Sequence, residues 1–338
     1  MPTRRRAAGR KEGHVARRAP GGPPQAFAET FGAVASNVER VVRGKPDVIE
    51  LVLLCLVAEG HVLIEDVPGV GKTSLAKALA TSIDCRWGRI QFTPDLLPAD
   101  VVGGSVWNRA TGAFDFRPGA VFANLVVGDE INRASPKTQS ALLEAMEERQ
   151  VTVDATTYAL EPPFMVLATQ NPIDHDGTYP LPRSQLDRFL MRVTVGYPGR
   201  ASEIEILDRN DSDVFDALEP VATAKDIIEM SDIARAVHVA PVLQGYLVDL
   251  AETTRRHPAL SLGMSPRATL ALQRVARARA AASGRAYVVP DDLKALAQPV
   301  LAHRLCLSPE ARLQGARAGD IVDDVLRRVP VPTATPGR

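Results

Sequence analysis

The sequence predicts an α/β protein in two parts: a core on a parallel five-stranded sheet with helices on both faces, then an all-helical C-terminal domain. Five short apolar runs (His61–Glu65, Arg89–Thr93, Leu125–Asp129, Phe164–Thr169 and Leu190–Val195) alternate with helical stretches between about residues 27 and 197. Buried strands interleaved with helices form parallel sheets covered on both sides. After about residue 200 only helical patterns follow, at Lys225–Val237, Val242–Arg256, Pro266–Ala282 and Asp291–Arg304. The turn Gly196-Tyr197-Pro198-Gly199 marks the boundary. The chain thus divides into a tail (residues 1–25), the core (26–199), the helical domain (200–328) and a frayed end (329–338).

Composition excludes several classes. The 338 residues carry 40 bases and 40 acids, which argues against a uniformly basic nucleic-acid binder and an acidic disordered chain. The balance hides an asymmetry: residues 1–24 hold seven bases and one acid, so the other 314 hold 33 bases and 39 acids. The tail is rich in Arg, Pro, Gly and Ala and is expected to be disordered. The longest strongly apolar run, Leu51 to Ala58, is far short of the roughly 18 residues a membrane span needs. Cys55, Cys85 and Cys306 form no CxxC pair, so a reducing, cytoplasmic setting is expected.

The first element of the core, the strand His61–Glu65, runs into Asp66-Val67-Pro68-Gly69-Val70-Gly71-Lys72-Thr73 and then a helical stretch from Ser74. Strand, Gly-rich turn and Lys-Thr at a helix start is the context of a phosphate-binding loop. The backbone from Pro68 to Ser74, turning at Gly69 and Gly71, aims amide hydrogens at phosphate oxygens, and the helix adds its positive end. Lys72 reaches the β- and γ-phosphates and Thr73 ligates Mg²⁺. Asp66 stands where the generic pattern has its first glycine.

The third apolar run ends in Asp129-Glu130, which places two carboxylates at the carboxyl edge of the sheet, where open α/β folds bind ligands. Asp129 is assigned to the Mg²⁺ shell and Glu130 to polarising the attacking water. The fourth run ends in Gln170-Asn171-Pro172, an amide able to reach between those carboxylates.

Together these residues resemble the AAA+ ATPases, and within them the MoxR family. The run from Asp129-Glu130-Ile131-Asn132-Arg133 to Glu147-Glu148 is similar to that family's signature almost throughout, and Glu65 to Thr73 is similar to its phosphate loop, Asp66 included. The resemblance spans about residues 27–325. It implies an AAA+ P-loop core with a helical lid, ATP and Mg²⁺ as ligands, ATP hydrolysis, and a homo-oligomeric ring, expected to be a hexamer, that remodels or activates partner proteins. It implies a partner bearing a von Willebrand factor A domain. Asn171 matches the sensor-1 position, Arg188 the arginine finger and Arg267 sensor 2, acting in cis or in trans. Val42 and Gly44 lie where the family meets the adenine. Arg183-Ser184 stands where the family usually has Glu-Ala. Ser265 and Pro266 suit an N-cap and first helical position, which puts Arg267 on a first helical turn.

Two insertions, Val101 to Pro118 and Gln150 to Leu160, alternate as hairpins. In related rings such hairpins line a pore. A magnesium-chelatase-like motor subunit shares these insertions, though the signature run sides with MoxR. A nucleic-acid-associated regulator stands as a third reading; no helix-turn-helix or zinc module is evident and the body is acidic.

Overall fold

The computed structural model describes residues 22–66, 69–171, 178–207, 215 and 217–332. The basic tail up to residue 21, the end from residue 333 and the expected loop residue Pro68 lie outside that set.

Two helices open the described residues, α1 (Pro23–Glu39) and α2 (Pro46–Val57), each with proline in its first turn, so residues 23–25, expected in the disordered tail, belong to a helix instead. Then come β1 (Val62–Glu65), α3 (Lys72–Ser82), β2 (Trp87–Gln91), the short α4 (Pro98–Val102) and a hairpin, β3 (Gly103–Asn108) with β4 (Ala113–Pro118). β5 (Leu125–Asp129) leads into α5 (Pro136–Glu148), followed by a second hairpin, β6 (Gln150–Val153) with β7 (Thr156–Ala159). β8 (Met165–Gln170), α6 (Arg183–Leu186) and β9 (Met191–Val193) complete the core. The five core strands form one parallel sheet in the order β2-β5-β8-β1-β9.

β1, β5, β8 and β9 are strands whose two faces are both largely buried, while β2, at the sheet's edge, buries mainly Ile90. Val62, Ile64, Leu125, Val127, Met165 and Leu167 enter one apolar cluster. Their neighbours Leu63, Val126, Val166 and Ala168 enter the other. Period-two alternation between two cores gives a continuous apolar run. α5 covers the second face. Ser135 caps it by accepting from the Thr138 amide at 3.3 Å, and Gln139, Leu142, Leu143 and Met146 turn inward. Arg149, with φ of 52°, ends it. At the far end of that helix His61 fixes the sheet: its Nε2 donates to the Met146 carbonyl at 3.0 Å and its Nδ1 accepts from the Val166 amide at 3.0 Å.

The helical region holds α7 (Arg200–Leu207), α8 (Ala224–Ala236), α9 (Pro241–Arg255), α10 (Pro266–Ala282), α11 (Pro290–Leu301), α12 (Pro309–Leu313) and α13 (Ala318–Arg328). Thr223 and Asp226 form a capping box for α8, and Ser265 accepts from the Ala268 amide at 3.1 Å to cap α10. Small residues along α10 (Ala268, Ala271, Ala276, Ala278) bury completely or nearly so. One apolar cluster runs from α1 and α2 through the first face of the sheet into α8–α11 and α13.

Two departures from the sequence expectation matter. The region is not purely helical: β10 (Leu260–Leu262) pairs antiparallel with β11 (Cys306–Leu307), strands too short to show alternation. The helix expected over Asp291–Arg304 ends at Leu301, with Pro299 inside it. A proline supplies no amide hydrogen and ends or bends a helix, so His303 and Arg304 leave it and turn to the sheet. Among the described residues no helix is long and apolar enough to cross a membrane.

Candidate functional site

β1 ends at Glu65 and α3 begins at Lys72, so the loop between them opens at the carboxyl edge of the sheet. Gly69 and Gly71 both have φ of 84°, with open space where a Cβ would stand. Glycine is required there for backbone freedom rather than for room. Asp66 serves the loop's anchorage. Its amide donates to the Gln170 carbonyl at 3.1 Å, and its carboxylate accepts from the Gly196 amide in the turn that follows β9. The residue that departs from the generic pattern thus ties the loop to the start of the helical region.

A cavity of about 340 Å³ lies over this edge. Gly69, Gly71, Lys72, Thr73 and Ser74 line it from the loop. Asp129, Glu130 and Asn171 line it from the ends of β5 and β8. Eight of the residues expected from sequence therefore meet in one place. Val70 instead packs half-buried against the apolar core. Partial burial pulls the Lys72 ammonium below its ordinary range, against the opposing pull of Asp66, Asp129 and Glu130. Its Nζ donates to the Asp66 carbonyl at 3.1 Å.

The carboxylates are organised differently from each other. Asp129 is buried; its Oδ2 accepts from Arg89 Nε at 2.7 Å and its Oδ1 from the Thr169 hydroxyl at 3.3 Å. Glu130 has φ of 57°, the left-handed region that a non-glycine residue enters rarely. The Glu130 amide donates to Thr169 Oγ1 at 2.9 Å, and its carboxylate takes Arg133 at 3.0 Å and Gln91 at 3.4 Å. Arg89, Gln91 and Thr169, none of them a site residue expected from sequence, also line the cavity. Gln91 and Thr169 stand at or next to the carboxyl ends of their strands, a signal present in the sequence, whereas Arg89 lies mid-strand in β2 and gives none. Thr73 and Asp129 offer hydroxyl and carboxylate oxygens to the same cavity, a donor set that fits Mg²⁺, which takes few protein oxygens and keeps its waters.

Val42 and Gly44 do not join this cavity. Val42 is buried in the apolar core. Gly44, at φ of 68° with Ser202 against it, lines a separate cavity of about 550 Å³ with Val193, Val195 and Pro299.

Arg188 and Arg267 do not join it either. Both bind one carboxylate, Glu147: Arg188 Nε at 3.0 Å and Arg267 at 3.1 Å. They line a cavity of about 510 Å³ with Asp187, Glu59 and Arg304. Arg188 stands just before β9; between them the Leu190 amide donates to the carbonyl of His61, the residue just ahead of β1. In a parallel sheet this is the amino edge, so the length of β1, about 13 Å, separates it from the phosphate loop. Glu147 lies eleven residues along α5 from Pro136, about 16 Å from the end near Glu130.

The hairpins are linked by Phe116 and Tyr158, whose rings stack with centroids 3.9 Å apart. Trp107 and Phe114 pair edge to face on the outer side and are more than half exposed.

Residues 61–191 match the family described as ATPase family associated with various cellular activities (AAA), and residues 252–325 match an AAA lid domain. "Uncharacterized protein YeaC" of Bacillus subtilis is 48% identical over 303 residues, 89% of this chain and 95% of that one. "Chaperone MoxR1" of Mycobacterium tuberculosis is 39% identical, covering 93% of this chain and 86% of its own. "Protein MoxR" of Paracoccus denitrificans is 33% identical, at 90% and 97%. A crystal structure of a Cytophaga hutchinsonii protein, 38% identical, matches with TM-score 0.84 over 92% of this chain and 97% of that one.

Proposed function

The chain belongs to the MoxR family of AAA+ ATPases, and from that premise we propose that it hydrolyses ATP in sites completed between neighbouring protomers of a ring. The observation that carries this is the placement of the two groups. The phosphate loop and its carboxylates occupy the carboxyl edge of the sheet. Arg188 and Arg267 share Glu147 near the amino edge. Within one protomer the two groups stand at opposite edges of the sheet, and a head-to-tail ring of protomers would bring them to one phosphate. On this reading Arg267 acts in trans, beside Arg188.

The loop amides from Gly69 to Ser74 bind the triphosphate, and Lys72 neutralises charge on its β- and γ-oxygens. Glu130 polarises the attacking water, and Asn171 orients it from the next strand. Bound Mg²⁺, held by Thr73 and Asp129, would supply charge neutralisation across the phosphate oxygens. Arg188 of the neighbour leaves Glu147 to meet the charge that develops on the transferred group. Base recognition falls to the Gly44 turn and its cavity, lined by Val193 and Val195 beside polar groups such as Thr194 and Gln298, with Val42 supporting it from the core.

The energy of turnover is spent on a partner protein, in keeping with the relative named a chaperone and with the resemblance to a family whose partners carry a von Willebrand factor A domain. The aromatic hairpins, with Trp107 and Phe114 outermost, are the proposed contact; a hexamer is the proposed ring. Glu130→Gln tests the centre of this reading. It should bind ATP normally and release phosphate on the order of 10²–10⁴-fold more slowly; unchanged turnover would remove Glu130 from the chemistry.

A further inference from the structure

The chain folds back on itself around Arg188. α11 ends at Leu301, and the turn after it lays Arg304 against the amino edge of the sheet with its side chain 4% exposed. Its Nε donates to Asp187 Oδ1 at 2.7 Å. One terminal nitrogen donates to the Phe189 carbonyl at 2.8 Å and the Asp187 carbonyl at 3.3 Å. The other donates to Val300 at 2.6 Å and Leu190 at 3.3 Å. His303 Nε2 donates to the Phe189 carbonyl at 3.1 Å. From the opposite side Arg183 in α6 donates to the Leu305 carbonyl at 3.2 Å. The grip falls on carbonyls either side of Arg188 and leaves the Arg188 guanidinium to Glu147.

Stability alone does not call for this. A buried ion pair is often replaced by apolar residues with no loss. An apolar residue, however, cannot hold the carbonyls of residues 187, 189 and 190 in fixed positions at once. A planar fork of five donors can. Arg183 makes its contact only because it is a donor; an acidic side chain would be repelled by the Leu305 carbonyl.

We propose that Arg304, with His303 and Arg183, is a latch that positions Arg188 for the nucleotide of the adjacent protomer, so that the helical region sets the placement of the finger. Arg304 is a positioning residue and touches no substrate. Displacement of the helical region relative to the sheet must carry residues 187–190 with it or break the latch. The inference rests on the trans role of Arg188 proposed above.

Arg304→Lys keeps the charge and loses the fork. In the full-length protein kcat should fall by on the order of 10–100-fold with KM for ATP unchanged, because the phosphate loop lies at the other edge. Mixing the variant with an excess of Glu130→Gln protomers, which have intact fingers and latches, should restore its phosphate release to that of wild-type protomers in the same mixture. Arg188→Ala should be rescued the same way. A defect confined to the variant's own packing would raise KM and would not be rescued. Rescue of Arg188→Ala without rescue of Arg304→Lys overturns the latch. Full activity of Arg188→Ala by itself overturns the trans finger beneath it. Should Arg304→Lys fail to fold, Arg183→Ala at its exposed position decides: a smaller fall in kcat, rescued in the mixture, supports the latch, and unchanged kcat overturns it.

Discussion

The two edges of the sheet are built in opposite ways. At the carboxyl edge the chain uses neighbours in sequence: Gly69 to Ser74, and Asp129 beside Glu130, meet because each group follows directly on a strand. At the amino edge Asp187, Glu147, Arg267 and Arg304 come from four separate elements and meet through charge. The first edge holds glycines beside buried polar groups such as Asp129 and Thr169 that line an open cavity, a concave site for a ligand. The second holds buried histidines and a buried guanidinium, groups that need fixed partners. On the proposed reading the loop edge receives a ligand and the arginine edge presents a finger to a neighbour, and α5 spans the distance between them.

The sharpest way to break that contrast is Arg188→Ala. It should lower turnover of the pure protein by roughly 10³–10⁵-fold and leave ATP binding intact, read by phosphate release beside a binding titration. A matching loss of ATP affinity would place Arg188 in its own protomer's loop site.

Acid should separate the edges next. Burial holds both His61 and His303 down at about 3 from an ordinary 6.5, with Arg304 adding to the effect on His303. Both stand at the amino edge, on Met146 and Phe189. The unfolded chain takes up these protons as pH falls below about 6.5 and the folded chain does not until about 3. Stability is therefore full above 6.5 and falls as pH drops through that window, by up to about 1.4 kcal/mol per pH unit for each histidine. Urea unfolding at stepped pH measures the slope; a flat profile from 6.5 to 5 would mean the rings charge in the fold.

The smallest effect tests that span. Ser135→Ala removes the cap of α5 and should cost about 1 kcal/mol, seen as a lower urea midpoint with an unchanged m-value. Because α5 carries Glu147 at its other end, kcat should fall with it while ATP affinity holds.

Much of this was legible beforehand. All five sheet strands lay within the apolar runs or a residue or two of them, and β5 matched to the residue. A strand buried on both faces leaves an uninterrupted apolar signature, and a phosphate loop is a contiguous motif. Ser265 and Pro266 announced the start of α10 for the same local reason. Less legible was anything resting on distant pairs. Arg89 meets Asp129 across 40 positions and Arg304 meets Asp187 across 117; neither leaves a mark on its neighbours. β10 and β11 are too short to alternate, and the helical pattern over Asp291–Arg304 does not mark the helix's end at Leu301.

The sequence by itself determined the layered sheet, the phosphate loop and the paired carboxylates, because each is written in residues adjacent along the chain and follows from local geometry. Only the tertiary structure decided where Arg188 and Arg267 go, since two cations far apart in sequence can share one carboxylate only after α5, α6 and α10 have packed. That packing follows from one apolar cluster running from the sheet into the helical region, and it seats the arginines at the edge away from their own phosphate loop.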